Sequence, residues 1–291
     1  FGKATIVAGS ANYTGAAVLA ASAALRAGTG LVTLALPEAL HSAAVAAVPE
    51  ATYLLLPSTL GVVDERAVTL LRDNLKGCAA LLIGPGLGNT EESRGFLRRL
   101  LGLSGPARAT GFVKHAPSAP APGELPPLVI DADGLNILSE TPGWSDVLPP
   151  GTVLTPHPGE MSRLTGLDTG EIQAARLDVA QTWSERWQQV VVLKGAFTVV
   201  AAPGEHPVVL PFANPALAKA GTGDVLAGTI VALRAQGLDG FRAAVTGAYL
   251  HGLAGDLAAR RLGTAGVLAG DVARALAEAW RRLAPPETAP L

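Results

Sequence analysis

Apolar runs rich in β-branched residues recur along the chain at Ala4 to Ala8, Leu31 to Leu36, Ala79 to Ile83, Pro127 to Ile130, Thr152 to Leu154, Val190 to Leu193 and Thr198 to Ala202. With few polar positions to mark a wet face, such runs predict strands buried on both sides, as in a parallel sheet. Stretches of helical period lie between them. Gly15 to Ala27 stops at Gly28, Asp64 to Leu75 stops near Gly77, and Thr90 to Leu101 opens on a capping threonine. Gly159 to Leu164, Thr169 to Trp187, Asp224 to Gln236, Phe241 to Leu262 and Asp271 to Leu283 complete the predicted helices, so the second half is the more helical. Strands alternating with helices predict a three-layer α/β/α architecture. Pro-rich Leu103 to Pro126 reads as a surface loop within one domain spanning residues 1–291, because apolar strands resume directly after it. Pro285 to Pro290 reads as a frayed tail.

Composition narrows this picture. An apolar fraction of 49% over 291 residues is enough for a substantial core. Only 4% of residues are aromatic while Ala and Gly abound, which predicts small side chains at close helix-to-sheet contacts. A formal charge of -2 excludes general attraction to nucleic acid or to an anionic membrane, so any phosphate-bearing ligand needs a local site. Cys78 is the sole cysteine, which rules out an intrachain disulfide and a Cys-based zinc site and makes a reducing, cytoplasmic setting the expectation. No run approaches the roughly 18 apolar residues of a membrane span. Because numbering starts at Phe1, a further N-terminal domain stays open.

The strongest chemical signal is Asn214 to Gly228, with Gly221-Thr222-Gly223-Asp224 at its centre. Glycines let the backbone turn tightly towards a ligand, and the periodic run after Asp224 predicts a helix whose free N–H groups form an anion hole. Asp224 at that mouth is placed to accept a hydroxyl proton as a phosphoryl group arrives, although an N-cap would look the same. Gly263 to Gly270 echoes the segment but has Gly266 where Asp224 stands. Lys194, at a strand end before Gly195-Ala196-Phe197-Thr198, reads either as a phosphate donor or as a solvated hairpin lysine. In Thr155-Pro156-His157-Pro158-Gly159-Glu160 the prolines fix the backbone around His157, favouring ligand contact over base catalysis, while Glu160 suits a helix start.

Three more strand ends carry ligand-type residues. Gly84-Pro85-Gly86-Leu87-Gly88 lacks the full dinucleotide fingerprint and reads as a ligand loop at a strand's carboxyl end. Asp131 and Asp133 are candidates for Mg²⁺ or substrate contact, one of the two being expected to serve, or else turn caps. Gly9 to Ala17 offers small residues for close approach of a substrate or for helix packing.

Taken in order, Gly9-Ser10 with Gly15-Ala16, Arg26 to Val32, Gly84 to Gly88, Asp131 to Asp133, Thr155 to Glu160, Lys194 to Thr198 and Gly221 to Asp224 resemble the ADP- or ATP-dependent NAD(P)H-hydrate dehydratases, repair kinases of the ribokinase-like superfamily. The resemblance implies a ribokinase-like fold with a mostly parallel central sheet. It also implies a reaction on hydrated NADH or NADPH, in which the ring hydroxyl is phosphorylated and phosphate eliminated. Asp224 would be the catalytic base, and Gly221, Thr222 and Gly223 the anion hole. Lys194, Gly195, Ala196, Phe197, Thr198 and Gly223 match nucleotide contacts; Ala16, Gly86, Gly88, His157 and Asp224 match hydrate contacts. Mg²⁺ is implied with the nucleotide, without a direct ligand assigned. Asp131, Asp133 and Glu160 are its candidate neighbours. A homo-oligomer, with a tetramer as the expectation, and an NAD(P)H-hydrate epimerase as functional partner or fused domain are likewise implied.

The chain departs from the pattern at Lys219-Ala220, where many relatives have Thr-Gly, so that Lys219 could bring positive charge beside the nucleotide. The 103–126 insertion also exceeds what the family core needs. Rival readings are a small-molecule kinase for a hydroxymethylpyrimidine, thiazole or sugar alcohol, and a non-catalytic dinucleotide sensor that kept the fold.

Overall fold

The computed structural model describes residues 1–103 and 125–283, so the body of the Pro-rich segment and the tail lie outside the described residues. Among the described residues nine strands form one sheet. From edge to edge they run Val208–Val209, Val199–Ala201, Val190–Leu193, Val153–Leu154, Leu128–Ile130, Ala80–Ile83, Lys3–Val7, Leu31–Pro37 and Thr52–Leu56. The pairings are parallel from Thr52–Leu56 across to Val190–Leu193, and the last two are antiparallel. Every strand expected from the apolar runs is present.

Alternation along each pleated strand divides its residues between two cores. Ile6, Leu34, Leu82, Val129 and Val192 join one, which is covered by helices Thr14–Arg26, Thr222–Ala235, Gly240–Leu262 and Ala269–Leu283. Val7, Ala35, Ile83, Ile130 and Leu193 join the other, beneath Ala67–Asp73, Glu91–Leu100, Asp133–Ser139 and Arg176–Trp187. This is the three-layer arrangement the sequence predicts. The small residues serve helix-on-helix contact as well as helix on sheet. Ala17, Ala20, Ala21, Ala23 and Ala24 of Thr14–Arg26 are buried, and a Cβ at Gly228 of the neighbouring helix would fall 2.2 Å from the Ala20 carbonyl oxygen. Only glycine permits that approach.

Strand Lys3–Val7 sits where the sheet changes its direction of growth, with Leu31–Pro37 on one side and Ala80–Ile83 on the other. Open α/β sheets bind ligands in the crevice outside the carboxyl ends of such strands. The loops leaving these two ends are tied together by the Gly9 amide, which donates to Pro85 O at 2.8 Å.

Some elements differ from expectation. Strand Thr52–Leu56, the hairpin of Ser58–Thr59 with Val62–Val63, and helices His41–Ala47, Asp133–Ser139 and Trp144–Val147 add to the predicted set. The predicted helix Thr169 to Trp187 breaks at Ala175, whose φ of -132° and ψ of 40° are not helical. The break directs Arg176 towards the sheet, where its guanidinium donates to Leu193 O at 2.8 Å.

Candidate active site

Gly221 caps helix Thr222–Ala235 with φ 87°, a left-handed conformation that glycine adopts without a Cβ penalty. This turn swings Asp224 into the first helical turn at the sheet's carboxyl edge. Thr222 is occupied internally: its amide donates to Lys219 O at 3.3 Å, and its hydroxyl to Leu217 O and Lys219 O at 2.7 and 2.8 Å. The first intrahelical bond runs from Val225 N to Gly221 O, so the amides of Gly223 and Asp224 precede it and are the donors a helix start leaves for an anion. Within the Gly221-Thr222-Gly223 segment, Thr222 thus spends its amide and hydroxyl on the shape of the turn.

The Asp224 carboxyl is pushed up to about 7, first by burial and then by Asp131, with Asp133 and Glu160 adding to the rise and Lys194 opposing it. A carboxylate so poised can take a hydroxyl proton near neutral pH. Its surroundings are a buried charge cluster. Lys194 Nζ lies 2.7 Å from Asp131 Oδ1 and 3.5 Å from Glu160 Oε2. Burial disfavours the Lys194 ammonium, but Asp131, Glu160 and Asp224 outweigh it and hold its pKa above the ordinary value. Lys194 is therefore an inner cation and not a solvated hairpin lysine. Thr155 Oγ1 also donates to Asp131 Oδ1, at 2.7 Å, while the buried Asp131 Oδ2 has no hydrogen-bond partner. A Cβ at Gly223 would fall 3.4 Å from Lys194 Nζ and 3.8 Å from Asp131 Oδ2, which puts the cluster directly behind the helix start.

His157 is an N-cap. Its Nδ1 accepts from the amides of Gly159 and Glu160 at 3.0 and 3.3 Å, while the Glu160 carboxylate returns to the His157 amide at 2.8 Å. Burial, then Lys194 and Arg163, depress the imidazole to about 4, with Asp131 working against them. With Nδ1 engaged, the neutral ring carries its proton on Nε2, 3.3 Å from Glu160 Oε1, so His157 presents a donor and no free base. Glu160 is itself buried, and that burial raises its pKa against the pull of Lys194.

The two predicted glycine walls meet. A Cβ at Gly86 would come within 2.8 Å of the Ala16 and Tyr13 Cβ atoms, and Ser10 Oγ lies 3.8 Å from a Cβ placed on Gly88. The Gly88 amide donates to Asp133 Oδ2 at 2.8 Å, so Asp133 braces the loop while Asp131 points into the charge cluster. Ala132 between them has φ 51°, a strained left-handed value that lets adjacent aspartates serve opposite directions.

Beside the cluster opens a cavity of about 370 Å³, lined by Lys194, Ala196, Thr198, Phe212, Leu226 and His251 among others. Mostly apolar walls with a cation at one end suit a flat base followed by phosphates. Phe197 stands apart from its neighbours: φ is 54°, its ring is exposed, and its amide donates to Phe212 O at 2.8 Å. Two residues escaped the sequence reading. Arg176 bonds the carbonyls of Leu193 and Lys194 and so holds the strand end beneath the turn; only the break at Ala175 reveals it. His251 is buried in the cavity wall with Nε2 unpartnered, its pKa lowered to about 4 by burial against a hydrogen bond with the Thr222 backbone. Lys219 reverses expectation. Its Nζ donates to Ala265 O and, at 2.8 Å, to Val267 O, which directs the charge to a neighbouring loop and away from the cavity.

Comparison with known proteins adds an independent line. A family model described as NAD(P)H-hydrate dehydratase matches residues 4–278. A bifunctional NAD(P)H-hydrate repair enzyme of Moorella thermoacetica is 40% identical over 273 residues, covering 94% of this chain and 48% of its own length. The chain thus spans about half of that relative. An ADP-dependent (S)-NAD(P)H-hydrate dehydratase of Xanthomonas campestris is 34% identical over 271 residues, covering 93% of this chain and 85% of the relative. Among solved structures, an ADP/ATP-dependent NAD(P)H-hydrate dehydratase from Bacillus subtilis, co-crystallised with ATP/Mg²⁺, superposes with a TM-score of 0.77 at 30% identity, covering 97% and 92% of the two chains.

Proposed function

The chain belongs to the NAD(P)H-hydrate dehydratase family, and from that premise we propose that it restores hydrated NADH or NADPH at the expense of ADP or ATP, with Asp224 as the base. The observation that carries this reading is a carboxyl held near neutrality at a helix N-terminus, backed by the inner cation Lys194 and next to a nucleotide-sized cavity.

In the first step Asp224 takes the proton of the ring hydroxyl, whose oxygen forms a bond to the terminal phosphorus of the nucleotide. The phosphorus–oxygen bond to the leaving AMP or ADP breaks. In the second step the ring carbon–oxygen bond to phosphate breaks and phosphate leaves with the bonding electrons, the neighbouring carbon gives its proton to water, and the ring double bond is restored. The amides of Gly223 and Asp224 face the transferring phosphoryl, and Lys194 supplies fixed positive charge behind it. Ala16, Gly86 and Gly88 form the wall that accepts the hydrate, and His157 offers its Nε2–H to it. Gly195, Ala196 and Thr198 border the nucleotide cavity.

Mg²⁺ fits this site as an ion carried by nucleotide phosphates and water. Its hard-oxygen chemistry suits Asp131 and Glu160, but both face Lys194, and the described residues hold no cluster of three or more metal-ligating side chains. When bound, the ion offsets charge on the phosphates. Bifunctional relatives about twice as long support an epimerase as functional partner, and the homo-oligomer and cytoplasmic setting belong to the same proposal. No helix among the described residues is long and apolar enough to cross a membrane.

The test is recovery of the near-ultraviolet absorbance of reduced nicotinamide when hydrate, Mg²⁺ and ADP or ATP are mixed with the protein. No recovery with either nucleotide, from folded protein, overturns the proposal. A small-molecule kinase would consume nucleotide without hydrate, given its own alcohol. A sensor would bind the hydrate tightly and consume none.

A further inference from the structure

The turn that opens helix Thr222–Ala235 is held from behind. Lys219 Nζ grips the carbonyls of Ala265 and Val267, in the loop that joins helices Gly240–Leu262 and Ala269–Leu283. The Lys219 carbonyl in turn accepts the Thr222 amide at 3.3 Å and the Thr222 hydroxyl at 2.8 Å. One residue therefore binds the anchoring loop with its side chain and the first turn with its backbone. Gly221 completes the seat, since a Cβ there would fall 3.0 Å from Ala269 Cβ and 3.9 Å from Asp224 Oδ2. Gly263 to Gly266 are exposed, and Val267 is the buried residue that pins their loop to the core. Hydrogen bonds from an ammonium to carbonyls are charge-assisted and stronger than neutral ones. The tether thus joins a segment with chemistry to one with packing.

We propose that Lys219 is a positioning residue for phosphoryl transfer, locking the 219–222 turn so that the Gly223 and Asp224 amides keep a fixed aim on the transferring group. It does this without touching the nucleotide. The inference rests on the phosphoryl-transfer reading above. Donors stabilise developing charge when they are organised in advance. Releasing the tether therefore weakens binding of the transferring state more than binding of the resting nucleotide.

The experiment compares wild type with Lys219→Met, Lys219→Gln and Lys219→Arg in calorimetric titrations with Mg-ADP alone and with Mg-ADP plus tetrafluoroaluminate, a mimic of the phosphoryl in flight. Amide hydrogen exchange over 219–225 and the melting transition are read on the same samples. The Met and Gln variants are expected to lose ~10-fold in affinity for the mimic, to stay within about twofold for ADP, and to exchange faster over 219–225; Arg stays within about threefold throughout. An equal loss for ADP and mimic overturns the proposal, because it makes Lys219 a direct nucleotide contact. Unchanged mimic affinity, or a wild type that binds the mimic no better than ADP, overturns it as well. If Met prevents folding, Gln, which keeps a polar head, carries the comparison. None of these readings uses the hydrate, so failure of the repair reaction shows separately, as absent nicotinamide recovery by wild type.

Discussion

Asp224 and Asp271 are each the third residue of a helix, in Thr222–Ala235 and Ala269–Leu283, and the two helix starts touch through Gly221 and Ala269. Their carboxyls move in opposite directions. Asp271 accepts from the Leu268 amide at 2.8 Å, bonds Arg274, and is held below its ordinary range first by that amide. Asp224 is raised to about 7 by burial and by Asp131. One is tied into the start of its own helix and the other is a carboxyl held near neutrality, although helix position is the same. What separates them is the ring of buried charge behind Gly223, so the chemistry comes from neighbours far away in sequence.

The largest expected effect separates the pair outright. Asp224→Asn should lower kcat ~10³-fold with nucleotide affinity nearly unchanged, whereas Asp271→Asn should stay within about twofold, both read as nicotinamide recovery. Equal losses would erase the distinction. Next comes the charge ring. Lys194→Met leaves Asp131 and Glu160 buried without their cation and should cost about 3 kcal/mol in urea unfolding, a loss that no change at Asp271 can match. The third effect is pH. The rate should climb with pH and level off above about 7, where Asp224 is ionised, and fall about tenfold per unit below it. Stability should run the other way. The native Asp224 keeps its proton up to about 7 while an unfolded one loses it near 3.8, so its stabilising contribution is full below 3.8 and gone once pH has risen through 7. Asp224→Asn should flatten that decline in a pH series of melting temperatures. The smallest effect falls on the cap: Asp271→Ala should cost about 1 kcal/mol of stability and leave the pH–rate profile unmoved.

The strands were legible because a run such as Val190 to Leu193 is apolar at every position and can only be buried on both faces. The site was legible as a set of segments: each glycine loop and each acid lies near the sheet's carboxyl edge. Roles were harder to read. Lys194 becomes an inner cation only through Asp131 and Glu160, 63 residues away for the first of them. His157 has the prolines of a display loop, yet its Nδ1 is consumed by the helix it begins. The Lys219 ammonium finds its carbonyls in a loop 46 and 48 residues later. Helix Asp133–Ser139 was hidden because Ala132 must adopt φ 51°, a turn no propensity favours.

The position of strand Lys3–Val7 has a consequence in time. A chain leaving the ribosome can pair this strand early with Leu31–Pro37, but Ala80–Ile83 emerges later, and the helix bearing Asp224 later still. That helix settles against Thr14–Arg26, an element made long before it. A nascent chain halted before Thr222 therefore holds the loops at Gly9 and at Gly84 to Gly88 without the carboxyl proposed as base, so the proposed turnover waits for the helix that brings Asp224 to them.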